Sequence, residues 1–397
     1  MPNLFYFGLE AVTNRYTQQL SKIWMPAAFT DFKKRNENRP LGDFQFIDVA
    51  GGETDEKEIT TGAVLDYIRR SKYSFDQINN FLQMLDQGKV NNGDIVYLQD
   101  FWTPGIEAIP YAADQLGIKL RFYSMLHAQS VDEYDFTHKM KDWIKWFELG
   151  LDYLHRDGGI FVGSTCHKVL LQKAGFKSPI HVVSLPIQVD DVLGKDRLPK
   201  GRLRYADKQR RVIFSSRLDS EKQPFMMLNI AERVCQKDPN AEFMIVTSNK
   251  KMKSSVSGVM ERIKELRANY PNFEIRQGVS KNEYYQLLNS SKVQLNTSLQ
   301  DFVSWTLLEA DALGCALVYP RFRSFPECLH DDSLYAHQNV ESAVELIFKH
   351  FDNEPSTSGL ISYVSDVYGR QVIPEIIFNK EYFNNEYNIW EIFGNSR

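Results

Sequence analysis

Short apolar runs rich in β-branched and aromatic residues recur along this chain, each followed by a longer stretch with helical spacing. That alternation admits few folds. Strands buried on both faces read as continuous apolar runs, and a strand–helix–strand unit closes as a right-handed parallel crossover. The runs "NLFYFG" (3–8), "FQFIDVA" (44–50), "DIVYLQD" (94–100), "KLRFYSML" (119–126), "GIFVGS" (159–164) and "IHVVSLP" (180–186) are the expected strands of one sheet. Helical stretches such as "SFDQINNFLQMLDQG" and "MKDWIKWFELGLDYLHR" lie between them.

The alternation then stops and restarts. Residues 188–210, "QVDDVLGKDRLPKGRLRYADKQR", are polar, charged and broken by glycine and proline, and read as a linker. A second series follows with strands at 211–217, 241–248, 272–278, 293–298 and 315–320, and helices near 224–237, 254–269, 281–290 and 304–314. A length of 397 residues suits two domains of about 150–200 residues each. The expected division is an N-terminal domain at 1–187, the linker at 188–210, a second domain at 211–375 and a terminal amphipathic helix at 376–397. That helix would pack back toward the N-terminal domain through Tyr382, Tyr387, Trp390 and Phe393. The fold class is α/β, with two Rossmann-like doubly wound domains. Such a pair places a ligand cleft between the carboxyl ends of its two sheets.

Composition narrows the function. A net charge of -4 argues against indiscriminate attraction to nucleic acid or acidic membranes, though not against a local basic patch. Cys166, Cys235, Cys315 and Cys328 are scattered without C-x-x-C spacing, which points to a reducing compartment rather than a zinc site or disulfide framework. The start "MPNLFYFGLEA" lacks a basic n-region, and no run approaches the ~20 apolar residues of a membrane span. The expectation is a cytoplasmic protein, or one of the host cytoplasm if phage-encoded.

Two stretches can carry chemistry. In "SSRLDSEKQPF" (215–225) a strand ends at Arg217 and a helix starts near Pro224, a good first helical residue. Arg217 and Lys222 there are charge-assisted donors for two phosphoryl groups beside a helix N-terminus. The other reading is a solvated loop in which both pair with Asp219 and Glu221. In "SLQDFVSWTLLEADALGCALVYP" (298–320), Asp301 lies in a loop and Glu309 in the following helix, eight positions on. Ser304 is the expected N-cap, and Trp305, Leu308 and Ala312 the face packed on the sheet. Both acids then stand on the rim of one pocket, able to accept from sugar hydroxyls; otherwise they share no role.

The "RLDSEK" loop followed by D-x7-E resembles the nucleotide-binding domain of GT-B glycosyltransferases, specifically the retaining family 4 type. "GVSKNEYYQLLNSSKVQLNTSLQ" and "GCALVYPRFRSFPECL" are similar to the segments flanking the family's E-x7-E motif, so the likeness covers most of 205–350. In the first half it is limited to strand order and to "FYSMLHAQS". The resemblance implies a metal-independent transferase that uses a UDP- or GDP-type nucleotide-sugar and no other cofactor. Arg217 and Lys222 would hold the donor diphosphate and stabilise its departure. Glu309 would bond the ribose and Asp301 the transferred sugar, with Val303, Ser304 and Trp305 completing the donor loop. His127 would face the reacting sugar; on its own it reads equally as a packed histidine. Gly8, Glu10, Asp100 and Trp102 are acceptor-side candidates. Four departures mark this chain: Asp301 replaces the usual Glu, "VS" (303–304) replaces Phe-Gly, Ser216 replaces the glycine before Arg217, and the N-terminal glycine loop is reduced to Gly8 in "FGLEAVTNRY".

The reaction implied is transfer with retention, the acceptor attacking from the face the diphosphate leaves. An inverting route would need a general base, for which Asp100 is the candidate, although Asp in "QDFWTPG" equally reads as a turn opener. Aromatics in "IWMPAAFTDFKKRNENRP" (23–40) and "QDFWTPG" are candidates for stacking on an acceptor ring. The "YPRFRSFPE" loop is similar to that of transferases acting on modified RNA bases, such as the tRNA-queuosine mannosyltransferase. Bacteriophage enzymes that glycosylate hydroxymethylcytosine in DNA are a further, weaker resemblance. A hydroxyl on a modified base of DNA or RNA is therefore one expected acceptor, against a saccharide or small metabolite. Competing readings are an epimerase or phosphorylase on the same fold and a non-catalytic nucleotide-sugar-binding protein. A dinucleotide dehydrogenase is the weakest, since no G-x-G-x-x-G follows a strand.

Overall fold

The structure, a computed structural model, describes residues 2–12, 15–52, 67–127, 130–140, 142–355 and 372–379. They fall into two compact units. One holds the described residues up to Ile187 together with 372–379, and the other runs from Gln188 to 355.

The first unit is built on six parallel strands: β1 (Asn3–Phe7), β2 (Gln45–Asp48), β3 (Ile95–Leu98), β4 (Arg121–Met125), β5 (Gly159–Val162) and β6 (Ile180–Val182). Their order is β2-β1-β3-β4-β5-β6. The second sheet, also parallel, contains β7 (Gln209–Phe214), β8 (Glu242–Val246), β9 (Phe273–Arg276), β10 (Ser291–Leu295), β11 (Ala316–Pro320) and β12 (Leu334–Tyr335), in the order β12-β11-β10-β7-β8-β9. The α/β class expected from the apolar runs is what the chain forms. β12 went unread because two residues carry no periodicity.

Each sheet reverses its order once. In the first, β1 pairs with β2 on one side and β3 on the other. In the second, β7 pairs with β10 and with β8. Crossovers on the two sides of such a point leave on opposite faces, so a crevice opens at the carboxyl ends of the two strands. The loops that matter are those after β1 and β3, and those after β7 and β10.

The cores explain why these runs became strands. β1, β3 and β5 are buried at every position, as a sheet covered by helices on both faces demands. Phe5 meets Phe81 edge-on at 4.9 Å, and Tyr6 stacks on Tyr97 at 5.8 Å. In the second unit Val212, Phe214, Val293 and Leu295 of the two central strands pack with Leu228 and Val234 from the helix Pro224–Lys237.

Two expectations change. The stretch 23–40 supplies core rather than an acceptor platform: Trp24, Phe29 and Phe32 are fully buried. They lie on a helical run in which a π turn, Leu20–Trp24, leads into the helix Met25–Arg35. Pro26 has no N–H to donate into the preceding turn, and the run absorbs the fault as that π turn. Residues 188–210, read as a linker, contain a short helix Val189–Val192 and a 3-10 turn Tyr205–Asp207, and they cluster with the second unit.

Residues 372–378 form a helix, and Phe378 stacks on Phe44 at 4.1 Å and on Phe32 at 5.6 Å within the first unit. Tyr382, Tyr387, Trp390 and Phe393 lie outside the described residues. Among the described residues no helix is long and apolar enough to cross a membrane.

Candidate active site

In the second unit both chemistry-bearing loops meet at the reversal of the sheet. After β7 the chain passes Arg217, makes a 3-10 turn over Ser220–Lys222, and enters the helix Pro224–Lys237 through Gln223. Gln223 is held in the left-handed region at φ 48°, one residue before a proline that disfavours right-handed helical backbone there. After β10 the chain runs through Asn296, Thr297 and Ser298 to Asp301 before the helix Trp305–Ala312. Two bonds stitch the loops together. The Thr297 hydroxyl donates to the Lys222 carbonyl at 2.6 Å, and the Leu299 N–H to the Glu221 carbonyl at 2.8 Å.

Lys222 is the centre of this arrangement. Its Nζ donates to Asp301 Oδ1 at 2.6 Å and to Ser298 Oγ at 3.0 Å, with Gln300 Oε1 at 3.5 Å. The residue is 7% exposed. The other Asp301 oxygen, Oδ2, accepts from Asn296 Nδ2 at 3.4 Å, and the Asn296 carbonyl-type oxygen accepts from Ser298 N–H at 2.7 Å. A cation and an acid separated by 79 positions in the chain are thus in contact. Sequence spacing carried no sign of that contact, and Asn296 and Ser298, which orient it, were not singled out.

Arg217 takes the alternative course set out above. Its guanidinium donates to Asp219 Oδ2 at 2.7 Å and Glu221 Oε1 at 2.8 Å, while Ser255 Oγ donates to Asp219 Oδ1 at 2.6 Å. Lys222 does not share those acids. The loop therefore splits its two cations, one held by neighbouring carboxylates and the other by the acid after β10.

Glu309 is 1% exposed. Its Oε1 accepts from Lys281 Nζ at 2.5 Å and from the Tyr285 hydroxyl at 3.0 Å. Lys281 opens the helix Lys281–Asn289, whose start is set by a capping box. Ser280 Oγ accepts from Glu283 N–H, and Glu283 Oε2 accepts from Ser280 N–H. That cap puts Lys281 in the first turn, one turn before Tyr285. Burial is the main cause raising the Tyr285 phenol far above its ordinary range, and the Glu309 charge adds to it. Lys281 and Tyr285 were not read from the sequence, since a helix-start lysine looks like any solvated one.

The helix carrying Glu309 differs from the expected one-faced pattern. Leu307, Leu308, Glu309, Ala310 and Ala312 are all buried, whereas Trp305 and Val303 are only partly so. Ser304 occupies the N-cap position with extended backbone, but its hydroxyl pairs with Thr306 Oγ1 at 2.6 Å instead of capping a backbone N–H.

In the first unit the acceptor-side candidates lie after β1 and β3, and His127 follows β4. Gly8 follows β1, and a Cβ there would stand 3.1 Å from Tyr6 Cε1. The Gln77 amide donates to the carbonyls of Gly8 and Val49, each at 3.0 Å. Glu10 pairs with Arg69. Asp100 opens a turn, accepting from Trp102 N–H at 3.1 Å while its carbonyl accepts from the Thr103 hydroxyl at 2.8 Å. It also lies 3.7 Å from buried Arg70, a residue not singled out from the sequence. Trp102 meets Phe147 edge-on at 5.9 Å. His127 Nε2 bonds the Gln99 carbonyl at 2.9 Å. Burial lowers its pKa, the Asp100 charge works against that shift, and Arg70 adds to it.

Residues 209–353 match the family Glycosyl transferases group 1. No curated protein matches the chain. Among solved structures, the chain is similar to sucrose-phosphate synthase from Thermosynechococcus elongatus, with a TM-score of 0.60 at 11% identity, covering 100% of this chain and 98% of that one. The lipopolysaccharide outer core galactosyltransferase WaaB in its apo form gives 0.54 at 16% identity, over 97% and 98%. Anabaena HepE, solved with UDP and glucose, gives 0.54 at 12%, over 100% and 98%.

The buried Lys281–Glu309 pair can be tested directly. Lys281→Met leaves a buried carboxylate without its cation and should cost about 3–5 kcal/mol. Adding Glu309→Gln should recover most of that loss. Urea unfolding of the four members of the cycle checks both, and additive effects would mean the two side chains do not interact.

With a glycosyl transferases group 1 match over the second unit and two six-stranded parallel sheets in the GT-B manner, the protein is a glycosyltransferase.

Proposed function

We propose that the protein moves a sugar from a UDP- or GDP-type nucleotide-sugar to an acceptor hydroxyl with retention of configuration, through a donor site at the reversal of the second sheet. The observation that carries this reading is the Lys222–Asp301 contact. A buried cation held by a single acid, beside the N-terminus of the 14-residue helix Pro224–Lys237, is a ready partner for a diphosphate.

On donor binding the diphosphate takes over hydrogen bonds of Lys222 Nζ, and Asp301 is freed to accept from hydroxyls of the sugar. Arg217 supplies the second positive group once its guanidinium turns from Asp219 and Glu221. Both cations act on the charge that grows on the leaving diphosphate, the place where a fixed positive charge lowers a barrier. Glu309 is assigned to the ribose, accepting through its carboxylate while Lys281 and Tyr285 hold its orientation. Val303, Ser304 and Trp305 border the sugar. The departing phosphate oxygen takes the acceptor's proton, so the chemistry calls on no enzymic nucleophile and no metal-bound group. His127 is assigned to the reacting sugar, and Gly8, Glu10, Asp100 and Trp102 to the acceptor side. Asp100 is the less suited general base, because its carboxylate already accepts from Trp102 N–H and faces Arg70.

For the acceptor, a saccharide hydroxyl is favoured over one on a modified nucleobase. The loop similar to base-modifying enzymes uses its own groups internally. The Arg323 guanidinium lies over the rings of Phe302 and Phe322, and Phe322 stacks on His337 at 4.1 Å. An epimerase would turn over the donor with no acceptor present, and a phosphorylase would need free phosphate, whereas a transferase needs only its acceptor.

A thermal-shift series against nucleotide-sugars tests the donor site. A true donor at about 100 times its Kd should stabilise the chain by about 2.7 kcal/mol. Lys222→Met combined with Asp301→Asn, which avoids a bare buried charge, should weaken the free nucleoside diphosphate about 10- to 100-fold. Asp301→Asn alone should retain the diphosphate and lose the preference for one sugar; loss of both together would remove Asp301 from the sugar. Once a donor and acceptor are in hand, NMR of the product should show the donor's anomeric configuration, and an inverted product overturns the retaining course.

A further inference from the structure

The helix Trp143–Leu154 faces the opposite way from an ordinary surface helix. At 100° per residue its inner side carries Glu148, Asp152 and His155 beside Ile144 and Leu151, and all five are buried. Its outer side carries Trp143, Trp146, Leu149 and Tyr153, which span about a third of the circumference. Trp146 is 76% exposed, Tyr153 64% and Trp143 55%.

This orientation is enforced from within. Glu148 Oε1 accepts from Ser130 N–H at 2.7 Å and Oε2 from the Ser130 hydroxyl at 2.6 Å. Asp152 accepts from the N–H groups of Lys177, at 3.0 Å, and Ser178, at 2.9 Å. Rolling the helix to bury its aromatics would break charge-assisted bonds that hold two loops. The aromatics are therefore held outward, and a monomer in water gains nothing from holding them there.

Neighbouring helices lie on the same side of the sheet. The crossovers from β3 to β4, β4 to β5 and β5 to β6 all run in one direction, so right-handedness places their helices on one side of the sheet. The helix before this one, Ala108–Gln115, exposes Tyr111 and Leu116. The surface charge over 142–177 opposes that of the whole chain. Lys145, Arg156, Lys168, Lys173 and Lys177 there outnumber the surface acids Asp142 and Asp157, in a protein of net charge -4, while Glu107 and Asp114 are exposed at the helix Ala108–Gln115. Arg156 lies over the Tyr153 ring at 4.5 Å, a cation held at the edge of the aromatic face.

We propose that this face of the first unit docks on an anionic lipid bilayer. Trp143, Trp146 and Tyr153 enter the headgroup boundary, where rings with one polar edge are favoured, Leu149 adds aliphatic depth, and the flanking lysines meet lipid phosphates. The attachment proposed is peripheral, and among the described residues no helix is long and apolar enough to cross a membrane. A convex single-helix face that includes an aliphatic residue suits a bilayer better than a nucleic acid strand, which is gripped in a cationic groove with stacking platforms. The proposal stands apart from the transfer reaction, because none of these residues belongs to the donor site.

The test is co-sedimentation of the full chain with vesicles of phosphatidylcholine alone and of phosphatidylcholine with an equal share of phosphatidylglycerol. The protein should bind the anionic vesicles, lose binding as salt rises, and shift its tryptophan emission to the blue. Trp143→Ala with Trp146→Ala should weaken binding about tenfold or more, and Lys168→Glu with Lys173→Glu should act in the same direction through charge. Unchanged unfolding midpoints would show both variants folded, as expected for surface side chains. The proposal is overturned if the wild-type chain ignores anionic vesicles or if the tryptophan variant binds as well as wild type. It is equally overturned if light scattering finds a dimer that this variant splits, which would make a second copy the occupant. Burial of the same tryptophans by single-stranded DNA in place of vesicles would also overturn it.

Discussion

A parallel sheet sends every strand's carboxyl end to the same edge, and a reversal of strand order leaves two of those ends without a crossover lying across them. Most of what matters in this molecule follows from that constraint. In the second sheet the reversal falls at β7 and β10, and the loops leaving those strands carry Arg217, Lys222 and Asp301. In the first it falls at β1 and β3, and the loops there carry Gly8, Glu10, Asp100 and Trp102, with His127 after the neighbouring β4. The helices do the supporting work: they cover the sheets, and their first turns deliver Lys281 to Glu309 and the Pro224 helix start to Lys222.

The charges at the second site are arranged in pairs that cost energy to bury, so their value lies in position more than in stability. Lys222 has one acid, Asp301, with hydroxyl and amide groups filling in around both. Arg217 has two. A ligand carrying negative charge can replace the single acid at Lys222 and leave the carboxylate free for a neutral partner. The shortened acid, one methylene less than glutamate, fits this account: at 301 the side chain reaches a lysine that enters from the facing loop. Glu309 is different. Its cation and phenol partners hold it in place from inside the unit.

Several features were legible before any coordinates. Among the described residues nine of the twelve strands lie within the apolar runs, and β7 and β10 overlap theirs but begin two residues earlier, because a strand covered on both faces leaves little polar alternation to blur its limits. Pro224 and the N-cap position of Ser304 follow from local backbone preferences. Other readings failed for identifiable reasons. The aromatics of 23–40 look like a stacking surface in sequence, yet Trp24, Phe29 and Phe32 are core, because the run is helical despite its proline. Trp305 was placed on the buried face, but a helix enclosed on most sides has no single face to read. On the helix Trp143–Leu154 the buried side carries Glu148 and Asp152, held by loop N–H groups, while Trp143 and Trp146 face outward.

The amino-acid sequence by itself determined the α/β class, the two series of strands and the charged residues carried by the loops after β7 and β10. These depend on periodicity, turn chemistry and short spacing, all of which act over a few residues. Only the tertiary structure decided which charges are partners. Lys222 meets Asp301, Glu309 meets Lys281, Asp100 meets Arg70, and Arg217 stays with Asp219 and Glu221. The physical reason is that strand order is set by crossover handedness and by packing over the whole sheet. Residues far apart in the chain are brought to one edge by that order, and no local pattern encodes it.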